Sequence, residues 1–384
     1  MAGAMSDSKN VTEKSNIPAI SAAGHFSISG LVKSLLPYGS GHIHETFRVR
    51  MRAVSHPGYI LQRVNTRVFP DVPRLMENIV RVTGHLRART RRGLPVLTVV
   101  PARDGRPYAR DDSGGFWRCF RFIAHREPGG RLRSRHLVPS AGTFRAGEAG
   151  RLFGRFIIQM SDLPAPPLHE TIPGFHDIEV HLSRFRDLLR GDPAGRRREI
   201  PAEIDFIRAR AAAMGLIRDL GRAGRIPLRV THNDTKFNNI LFGPGGGLCI
   251  IDLDTVMPGY VAYDFGDAIR SAANSTSEDE PDLRRVQLDM AVFQEFARGY
   301  LGQLRGLLQA GEIAHLAFAA RLMTYMVGLR FLNDHLDGDR YFKVERPGHN
   351  LKRARVHFRL LEDMERRRAE MEDFVSALAA GPIS

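Results

Sequence analysis

The chain has 384 residues, of which 43% are apolar, and a formal net charge of +14. This length allows two domains or one large bilobed domain with a sizeable core, and the apolar fraction is that of a globular protein. Two cysteines, Cys119 and Cys249, form neither a disulfide framework nor a metal-ligand spacing, which is typical of a reducing cytoplasm. Met1–Gly24 lacks the apolar run of a signal peptide, and no apolar stretch is long enough to cross a bilayer, so we expect a cytoplasmic protein.

The positive charge is concentrated in three arginine clusters, at Arg87–Arg92, Arg131–Arg135 and Arg196–Arg198. A basic surface can indicate nucleic-acid binding, but these clusters lack interleaved aromatic residues and match no common nucleic-acid module. We interpret them as a solvated surface that attracts phosphorylated ligands. Neither nucleic acid nor a membrane is expected as a partner.

A glycine-rich segment, residues 39–42 (GSGH), precedes a predicted strand at Thr46–Arg52, in which polar and apolar residues alternate. A dinucleotide-binding fold would need a helix directly after the glycines. The pattern instead favours a hairpin that covers a nucleotide, as in kinases, with an ordinary glycine-rich hairpin as the alternative. No G-x-x-x-x-G-K-[ST] occurs, which excludes a P-loop. We therefore assign Gly39, Gly41 and His42 to nucleotide binding.

The next predicted strand, Tyr59–Val64, lies where kinases place a lysine that holds the nucleotide phosphates and pairs with a glutamate on the following helix. Lysine is missing here. Arg63 or Gln62 could replace it, but neighbours on a strand face opposite sides, so only one of them can. Arg63 is favoured because it carries charge. Asp71 predicts the start of the following helix, and Glu77 is the candidate partner of Arg63.

A strand at Gly115–Ile123 is interpreted as the connector between two lobes, with Phe122 at the nucleotide and the backbone bonding an adenine edge. The pattern becomes helical after it. We therefore predict a flexible tail over residues 1–24, a small β-rich N-lobe over 25–123 and a larger, mostly helical C-lobe over 124–384. Helices are predicted in the C-lobe over Phe144–Met160, Asp177–Leu189, Glu203–Asp219, Asp282–Ala310, Glu312–Leu336 and His349–Leu378. The fold class is α+β, with the bilobed arrangement of a protein kinase.

The most informative stretch lies in this second lobe, between two short predicted strands. It contains His232-x-Asp234 and an asparagine, Asn239, five residues after the aspartate, which is the spacing used for phosphoryl transfer in protein kinases. A carboxylate at Asp234 would orient an attacking hydroxyl and accept its proton, and the Asn239 amide oxygen is a hard ligand for magnesium. Lys236 can place positive charge near the transferred phosphoryl group. An Asx-rich turn between two strands is the structural alternative.

Two further acids follow in the sequence CIIDLDT. Side chains alternate faces along this predicted strand, so we expect Asp252 and Asp254 to lie on one side of it. Two carboxylates on one side would repel each other unless a cation lies beside them. Magnesium, held by one or two carboxylates and by the phosphates of ATP, is the natural candidate. Asn239, Asp252 and Asp254 are thus the candidate metal ligands.

A helix is predicted from about residue 261, close in sequence to these acids. Asp264 could cap this helix or could brace the catalytic loop, and the residues alone favour neither. Arg270 lies further along the same helix, where a guanidinium could bind polar groups of a substrate. It is therefore a candidate substrate-binding residue.

Seven segments together resemble one known family. The two most specific are THNDTKFNNILF at 231–242 and IDLDTVMPG at 251–259. The other five are GSGHIHETFRV at 39–49, YILQRVNTRVF at 59–69, LMENIVRVTGHL at 75–86, YDFGDAIRSAAN at 263–274 and RFLNDHLDGDRYFKVERPGHNLKRAR at 330–355. Over roughly residues 28–375 the chain resembles the aminoglycoside phosphotransferase/choline kinase superfamily. Within that superfamily it resembles the bacterial N-acetylhexosamine 1-kinases.

This resemblance implies a kinase-like bilobed fold, ATP and magnesium as cosubstrates, and transfer of the γ-phosphate to the anomeric hydroxyl of GlcNAc or GalNAc. By position it makes Asp234 the catalytic base, Asn239 and Asp252 the metal ligands, and Asp254 a supporting or second-metal acid. Arg330 and Tyr341 lie where such kinases hold the sugar. The missing strand lysine departs from the pattern and leaves the phosphate-holding residue open. A monomer or weak homodimer is expected.

Three alternatives remain at this point. A kinase of another small alcohol, such as choline, homoserine or an aminoglycoside, would use the same catalytic residues. A non-catalytic protein on a kinase fold would show an incomplete catalytic set, yet Asp234, Asn239 and Asp252 are all present. A nucleic-acid binder would show salt-dependent gel retardation.

Overall fold

The computed structural model describes residues 17–39, 43–53, 55–90, 94–125, 139–243 and 246–381. The chain divides into two compact units, residues 1–125 and 126–384. The first unit is built on an antiparallel sheet, and the second is mostly helical in its described part. This is the α+β arrangement that the sequence predicts.

The first unit contains two helices and six strands among its described residues. They are α1 (Ile17–Gly24), β1 (Val32–Pro37), β2 (Glu45–Met51), β3 (Tyr59–Arg63), α2 (Val72–Arg89), β4 (Val99–Val100), β5 (Ala109–Arg110) and β6 (Phe116–Arg121). The strand order is β1-β2-β3-β6-β4, and β5 pairs with β6. One face of this sheet forms a core around Phe47, Leu61 and Trp117, because alternate residues of each strand point to the same side.

The prediction of a flexible tail over residues 1–24 is wrong for its last eight residues. They form α1, which contributes Ala19 and Ala22 to the core on the sheet. Both alanines are almost completely buried. Their small side chains lie one helical turn apart on one face, which brings the helix backbone close to the sheet.

A single carboxylate organises the turn between β5 and β6. Asp111 Oδ1 accepts hydrogen bonds from the backbone N–H groups of Ser113 (2.9 Å) and Gly115 (2.8 Å), and Oδ2 accepts one from Trp117 Nε1 at 2.7 Å. Burial alone would raise the pKa of Asp111, but these donors outweigh it and hold the pKa at about 2. Stabilisation by this group is therefore complete above about pH 4 and is lost as the pH falls towards 2.

We expect Asp111→Ala to destabilise the first unit by roughly 2–3 kcal/mol, because the buried Trp117 indole N–H loses its acceptor. Trp117 is the only tryptophan in the chain, so its fluorescence during urea unfolding reports on this unit directly. Asp112→Ala, at the exposed neighbouring position, is the matched control. Equal midpoints for the two variants would contradict the assigned role of Asp111.

The second unit contains ten helices and two short antiparallel strand pairs among its described residues. The elements are α3 (Pro139–Met160), α4 (Ile178–Gly191), α5 (Pro201–Arg210), α6 (Leu216–Arg222), β7 (Arg229–Thr231), β8 (Ile240–Gly243), β9 (Gly246–Ile250), β10 (Met257–Gly259), α7 (Val261–Ala272), α8 (Met290–Leu304), α9 (Ala310–Ile313), α10 (Leu316–Leu336), α11 (His349–Arg366) and α12 (Arg368–Ala380). Strand β7 pairs with β10, and β8 pairs with β9.

Four predicted helices are shorter than expected or divided, among them Glu312–Leu336, which the structure divides into α9 and α10. Glu203–Asp219 divides into α5 and α6 around a 3-10 turn at Ala213–Gly215. The helix predicted over Asp282–Ala310 begins only at Met290, because the Asp289 side chain accepts a hydrogen bond from the backbone N–H of Val292 and caps it. The last predicted helix is two helices that meet at Arg367.

Helix α7 lies against α10 in a hydrophobic core of the second unit. Their approach is close at Gly266, where a Cβ atom would lie 2.3 Å from the Ala319 carbonyl oxygen. Only glycine fits there, which fixes the position of α7 and of the acids in its first turns. No helix in the described part of the chain is both long and apolar enough to span a membrane.

Candidate active site

The predicted catalytic loop follows β7 in the second unit and ends at a 3-10 turn, Phe237–Asn239, that leads into β8. The backbone of this loop is held by Asp264, which lies in the first turn of α7. The Asp264 carboxylate accepts the backbone N–H of His232 at 2.8 Å and that of Asn233 at 2.6 Å. Thr235 Oγ1 also donates to the Asp264 carbonyl oxygen at 2.6 Å. Of the two roles considered for Asp264, the structure supports the brace.

The electrostatic environment of Asp264 is unusual for an aspartate. Its side chain is completely buried. Burial raises its pKa to about 7, although the two backbone donors lower it. The α7 helix has Tyr260 as its N-cap, without a side-chain capping bond. The acid therefore serves the loop rather than the helix terminus.

The loop is also tied to the segment that carries the other acids. His232 Nε2 donates to the Ile251 carbonyl at 3.1 Å, and Thr255 Oγ1 donates to the His232 carbonyl at 2.7 Å. Asn233, with a positive φ of 63°, donates from Nδ2 to the Thr255 carbonyl at 2.9 Å. Asparagine tolerates this left-handed conformation and has a short amide for local bonds. The two predicted motifs thus form one connected structure.

Asp234 lies at the centre of the site. Its Oδ2 accepts a hydrogen bond from Asn239 Nδ2 at 2.8 Å, and its Oδ1 lies 2.7 Å from Lys236 Nζ. Burial would raise the pKa of this carboxyl, but the Lys236 ammonium outweighs it and keeps the pKa at about 2. Asp234 is therefore ionised at neutral pH, and its side chain is 19% exposed. An oriented carboxylate of this kind can accept the proton of an attacking hydroxyl.

Asn239 and Asp252 are brought together by the backbone, because the Ile251 N–H donates to the Asn239 carbonyl at 2.9 Å. The Asn239 amide nitrogen is used by Asp234, which leaves the amide oxygen as the possible metal ligand. Asp252 is exposed. An amide oxygen and an exposed carboxylate fit magnesium, which retains water and takes phosphate oxygens as further ligands. Within the described residues, no three His, Cys, Asp or Glu side chains form a metal-binding cluster.

The expectation that Asp252 and Asp254 lie on one side of a strand is wrong. Strand β9 ends at Ile250, Asp252 has a left-handed backbone with φ 59°, and Leu253–Thr255 forms a 3-10 turn. Asp252 is consequently exposed, whereas Asp254 is only 3% exposed. This burial favours a supporting role for Asp254 over direct binding of a second ion.

The glycine-rich segment joins β1 and β2, which pair as an antiparallel hairpin as predicted. Gly39 begins this connection with φ 80°, a conformation that glycine adopts without strain. Gly41 and His42 lie outside the described residues. Their assignment to nucleotide binding stays a prediction.

Phe122, at the end of the predicted connector, is partly exposed, and the Arg48 guanidinium lies 3.1 Å from its ring centre. Its backbone N–H donates to the Gly58 carbonyl at 3.0 Å. The Phe122 N–H is thus bonded within the first unit. The assignment of Phe122 to the nucleotide, and of the connector backbone to an adenine edge, stays a prediction.

The predicted ion pair between Arg63 and Glu77 is wrong. The Arg63 guanidinium lies 3.9 Å from Glu45 across the β2–β3 pairing, and Glu77 is exposed on α2. The opposite face of β3 carries Gln62, whose Oε1 accepts a hydrogen bond from Arg118 Nε at 2.9 Å. Arg118 is only 2% exposed. The buried cation of this sheet is therefore on β6, and the sequence pattern of β3 could not reveal it.

Arg330 and Tyr341, assigned to the acceptor by the resemblance, lie close together. The Arg330 guanidinium is 4.9 Å from the ring centre of Phe175, 6.0 Å from that of Tyr341 and 5.8 Å from that of Phe342. Tyr341 is 44% exposed. The two residues thus form a partly open surface with a cation and an aromatic ring.

The loop that carries Tyr341 is fixed by one buried carboxylate. Asp334 accepts the backbone N–H groups of Arg340 (2.9 Å), Tyr341 (2.7 Å) and Phe342 (2.9 Å), and it also accepts Asn350 Nδ2 at 2.8 Å. Three successive backbone donors hold the loop independently of the side chains that it carries.

Arg270 is not placed as the sequence suggested. It is 4% exposed, and its Nε donates to Asp267 Oδ1 at 2.8 Å. Its Nη1 lies 3.4 Å from Glu278 Oε1 and 3.2 Å from His357 Nε2. These contacts direct the guanidinium into the protein, so Arg270 orients Asp267 instead of presenting an open cation to a substrate.

Sequence reasoning missed His176. Its Nε2 donates to the Asn233 carbonyl at 2.9 Å, one residue before Asp234. The contact joins positions 57 residues apart, and no local pattern signals it.

A model of the phosphotransferase enzyme family matches residues 34–310. Solved structures share the fold at low identity. A microcompartment-associated aminopropanol kinase is 19% identical with a TM-score of 0.55, over 92% of this chain and 98% of its own. An amicoumacin kinase, in complex with AMP-PNP and Ca²⁺, is 11% identical with a TM-score of 0.55, over 92% and 96%.

A choline kinase from Cryptosporidium parvum is 16% identical with a TM-score of 0.52, over 97% of this chain and 99% of its own. These likenesses confirm the kinase-like fold class. The family match covers well over half of the chain and includes the loop around Asp234. The chain therefore belongs to the phosphotransferase enzyme family and has the fold of the aminopropanol and choline kinases.

Proposed function

We propose that the protein transfers the γ-phosphate of ATP to the anomeric hydroxyl of an N-acetylhexosamine, GlcNAc or GalNAc, and so forms the sugar 1-phosphate. The observation that carries the kinase chemistry is the convergence of Asn239 and Lys236 on the Asp234 carboxylate. The acceptor class rests on the resemblance of the segment from Arg330 to Arg355 to the N-acetylhexosamine 1-kinases. The adjacent Arg330 and Tyr341 side chains support it.

In this proposal the sugar hydroxyl lies against Asp234, which accepts its proton as the oxygen attacks the γ-phosphorus in line with the leaving ADP. Asn239 fixes the carboxylate orientation, and Lys236 offsets negative charge near the transferred group. Magnesium bound with the nucleotide would neutralise phosphate charge, and Asn239 and Asp252 would hold it. Positioning and electrostatic stabilisation provide most of the acceleration in such reactions.

A cationic acceptor is disfavoured by the surroundings of Arg330. Aromatic cages bind quaternary ammonium groups through cation–π attraction. Here a guanidinium of the protein lies over Phe175 and near Tyr341 and Phe342. A second cation at this surface would be repelled, whereas the hydroxyls of a neutral sugar can accept hydrogen bonds from Arg330.

An acceptor panel tests the proposal. ATP consumption would be followed with GlcNAc, GalNAc, glucose, choline, homoserine and an aminoglycoside, and the product examined by 31P NMR for an acid-labile anomeric phosphate. We expect the highest kcat/KM with an N-acetylhexosamine. Preferential phosphorylation of choline, homoserine or the aminoglycoside would overturn the acceptor assignment while leaving the kinase assignment intact.

The ion-binding role of Asp252 predicts a change in magnesium dependence. Asp252→Ala should abolish turnover at ordinary magnesium concentrations, because only the Asn239 oxygen would remain as a protein ligand. Initial rates across a magnesium titration measure this. The matched control is Asp373→Ala, an exposed acid on α12. Unchanged magnesium dependence in Asp252→Ala would remove this residue from the metal site.

A further inference from the structure

His176 has one bonded and one unbonded ring nitrogen. Its Nε2 lies 2.9 Å from the Asn233 carbonyl oxygen, which can only accept, so Nε2 carries the proton. The other nitrogen, Nδ1, is buried and has no hydrogen-bond partner among the described residues. The side chain is 8% exposed. Burial lowers its pKa to about 4, so the ring is neutral at pH 7 and Nδ1 keeps its lone pair.

The position of His176 links the two parts of the candidate site. Its ring centre is 5.1 Å from that of Tyr263 on α7 and 4.5 Å from that of Phe175. Phe175 in turn lies under the Arg330 guanidinium. His176 therefore contacts the catalytic loop through Asn233 and adjoins the surface assigned to the acceptor.

A second buried acceptor occurs on the helix that braces the same loop. Asp267 is 3% exposed, and its Oδ1 is bonded to Arg270. Its Oδ2 is buried without a hydrogen-bond partner in the described part of the chain. A buried acceptor without a donor is destabilising, because it has lost its hydrogen bonds to water and gained none in the protein. Two such acceptors beside one loop indicate a ligand that brings hydrogen-bond donors.

We propose that His176 Nδ1 accepts a hydrogen bond from a hydroxyl or amide N–H of the acceptor substrate and so contributes to acceptor specificity. This inference rests on the proposed function for the presence of an acceptor but not for its identity. A neutral sugar carries several suitable donors. An acceptor that lacks the matching donor leaves Nδ1 unpaired and is disfavoured.

Two substitutions separate this role from a structural one. The amide of Gln can occupy the position of Nε2, so His176→Gln retains the donor to Asn233 and loses the Nδ1 acceptor. The amide of Asn can occupy the position of Nδ1, so His176→Asn retains an acceptor there and loses the bond to Asn233. We expect His176→Gln to raise KM for the acceptor roughly tenfold with KM for ATP unchanged, as for loss of one hydrogen bond. His176→Asn should have the lower acceptor KM of the two.

The opposite order, with His176→Gln close to wild type and His176→Asn impaired, would show that the residue only supports Asn233 and would overturn the proposal. The assay uses whichever alcohol the wild-type enzyme phosphorylates best. A wild-type preference for a non-sugar alcohol thus refutes the proposed function without affecting this comparison. Deoxy and deacetylated sugars provide a further comparison. The sugar analogue that lacks the donor to Nδ1 should bind the wild-type enzyme more weakly than the parent sugar does. His176→Gln should bind that analogue and the parent sugar equally well.

Imidazole 15N NMR of the wild-type protein provides a readout that requires neither turnover nor a stable variant. We expect His176 to be a neutral Nε2–H tautomer from pH 6 to 8. Its Nδ1 signal should shift when the alcohol that the wild-type enzyme phosphorylates best is added with AMP-PNP. An Nδ1–H tautomer, a protonated ring or an unmoved signal at a saturating concentration of that alcohol would contradict the assignment.

Discussion

Asp234→Asn should reduce kcat by roughly 10²–10⁴-fold, the usual contribution of a general base. The amide cannot accept the hydroxyl proton. The fold should survive, because Lys236 is 47% exposed and can turn into solvent when its ion pair is lost. Steady-state kinetics with the preferred acceptor, together with thermal unfolding, measure the two effects separately.

The control is Asp205→Asn, an exposed acid on α5 in the same unit. It should leave kcat unchanged. Turnover by Asp234→Asn within a few-fold of wild type would contradict the assignment of the base. A large loss of stability would show that the carboxylate is needed to hold the loop.

Asp264→Asn should be far from conservative. Both oxygens of Asp264 accept backbone N–H groups, at 2.8 Å from His232 and 2.6 Å from Asn233. The amide oxygen of asparagine would still accept one of these donors, but its nitrogen would face the other, so one backbone N–H and the amide N–H opposite it would both be buried without an acceptor. We expect a loss of roughly 2–6 kcal/mol in unfolding free energy, and about 100-fold in kcat from displacement of Asp234. Chemical denaturation and kinetics check both.

Titration of this group gives a second test. Its folded pKa of about 7 lies above that of an exposed aspartate because of burial. The folded protein therefore binds the proton more tightly than the unfolded chain, and ionisation reduces stability as the pH rises from about 4 to 7. The stability difference between wild type and Asp264→Asn should shrink over this range and be constant above it. A pH-independent difference would place the folded pKa at its ordinary value.

The chemistry of the loop could be predicted from sequence because it is local. Asp234 and Asn239 are five residues apart, and a short turn brings their side chains together in almost any context that supports β7 and β8. The same holds for the glycine at position 39, which the hairpin connection requires. Local spacing therefore carries most of the kinase interpretation.

Features that depend on where a regular element ends could not be predicted. The placement of Asp252 and Asp254 assumed that the strand continues, yet β9 ends at Ile250 and the chain enters a left-handed residue. Similarly, the sequence of β3 does not show which of Gln62 and Arg63 lies beside a buried cation. This depends on the position of Arg118, which lies on β6 and bonds to Gln62. Both outcomes depend on how the surrounding elements pack, and the sequences of β9 and β3 alone do not determine that packing.

Contacts between distant positions were equally inaccessible. Arg270 could be recognised as a cation near the site, but its contact with His357, which lies 87 residues away on α11, could not. The bond from His176 to Asn233 is of the same kind. A single sequence shows which residue types are available for such contacts and not which pairs are formed.

The anchoring of residues 340–342 by Asp334 has a consequence for the diversification of this enzyme. The bonds run to backbone N–H groups, which every residue except proline possesses. Position 341 can therefore exchange its side chain while the loop keeps its shape, whereas Phe342 is restrained by packing on Phe331 at 4.4 Å between ring centres. Selection for a new acceptor, in nature or in a mutant library, has in position 341 a site where change is structurally inexpensive.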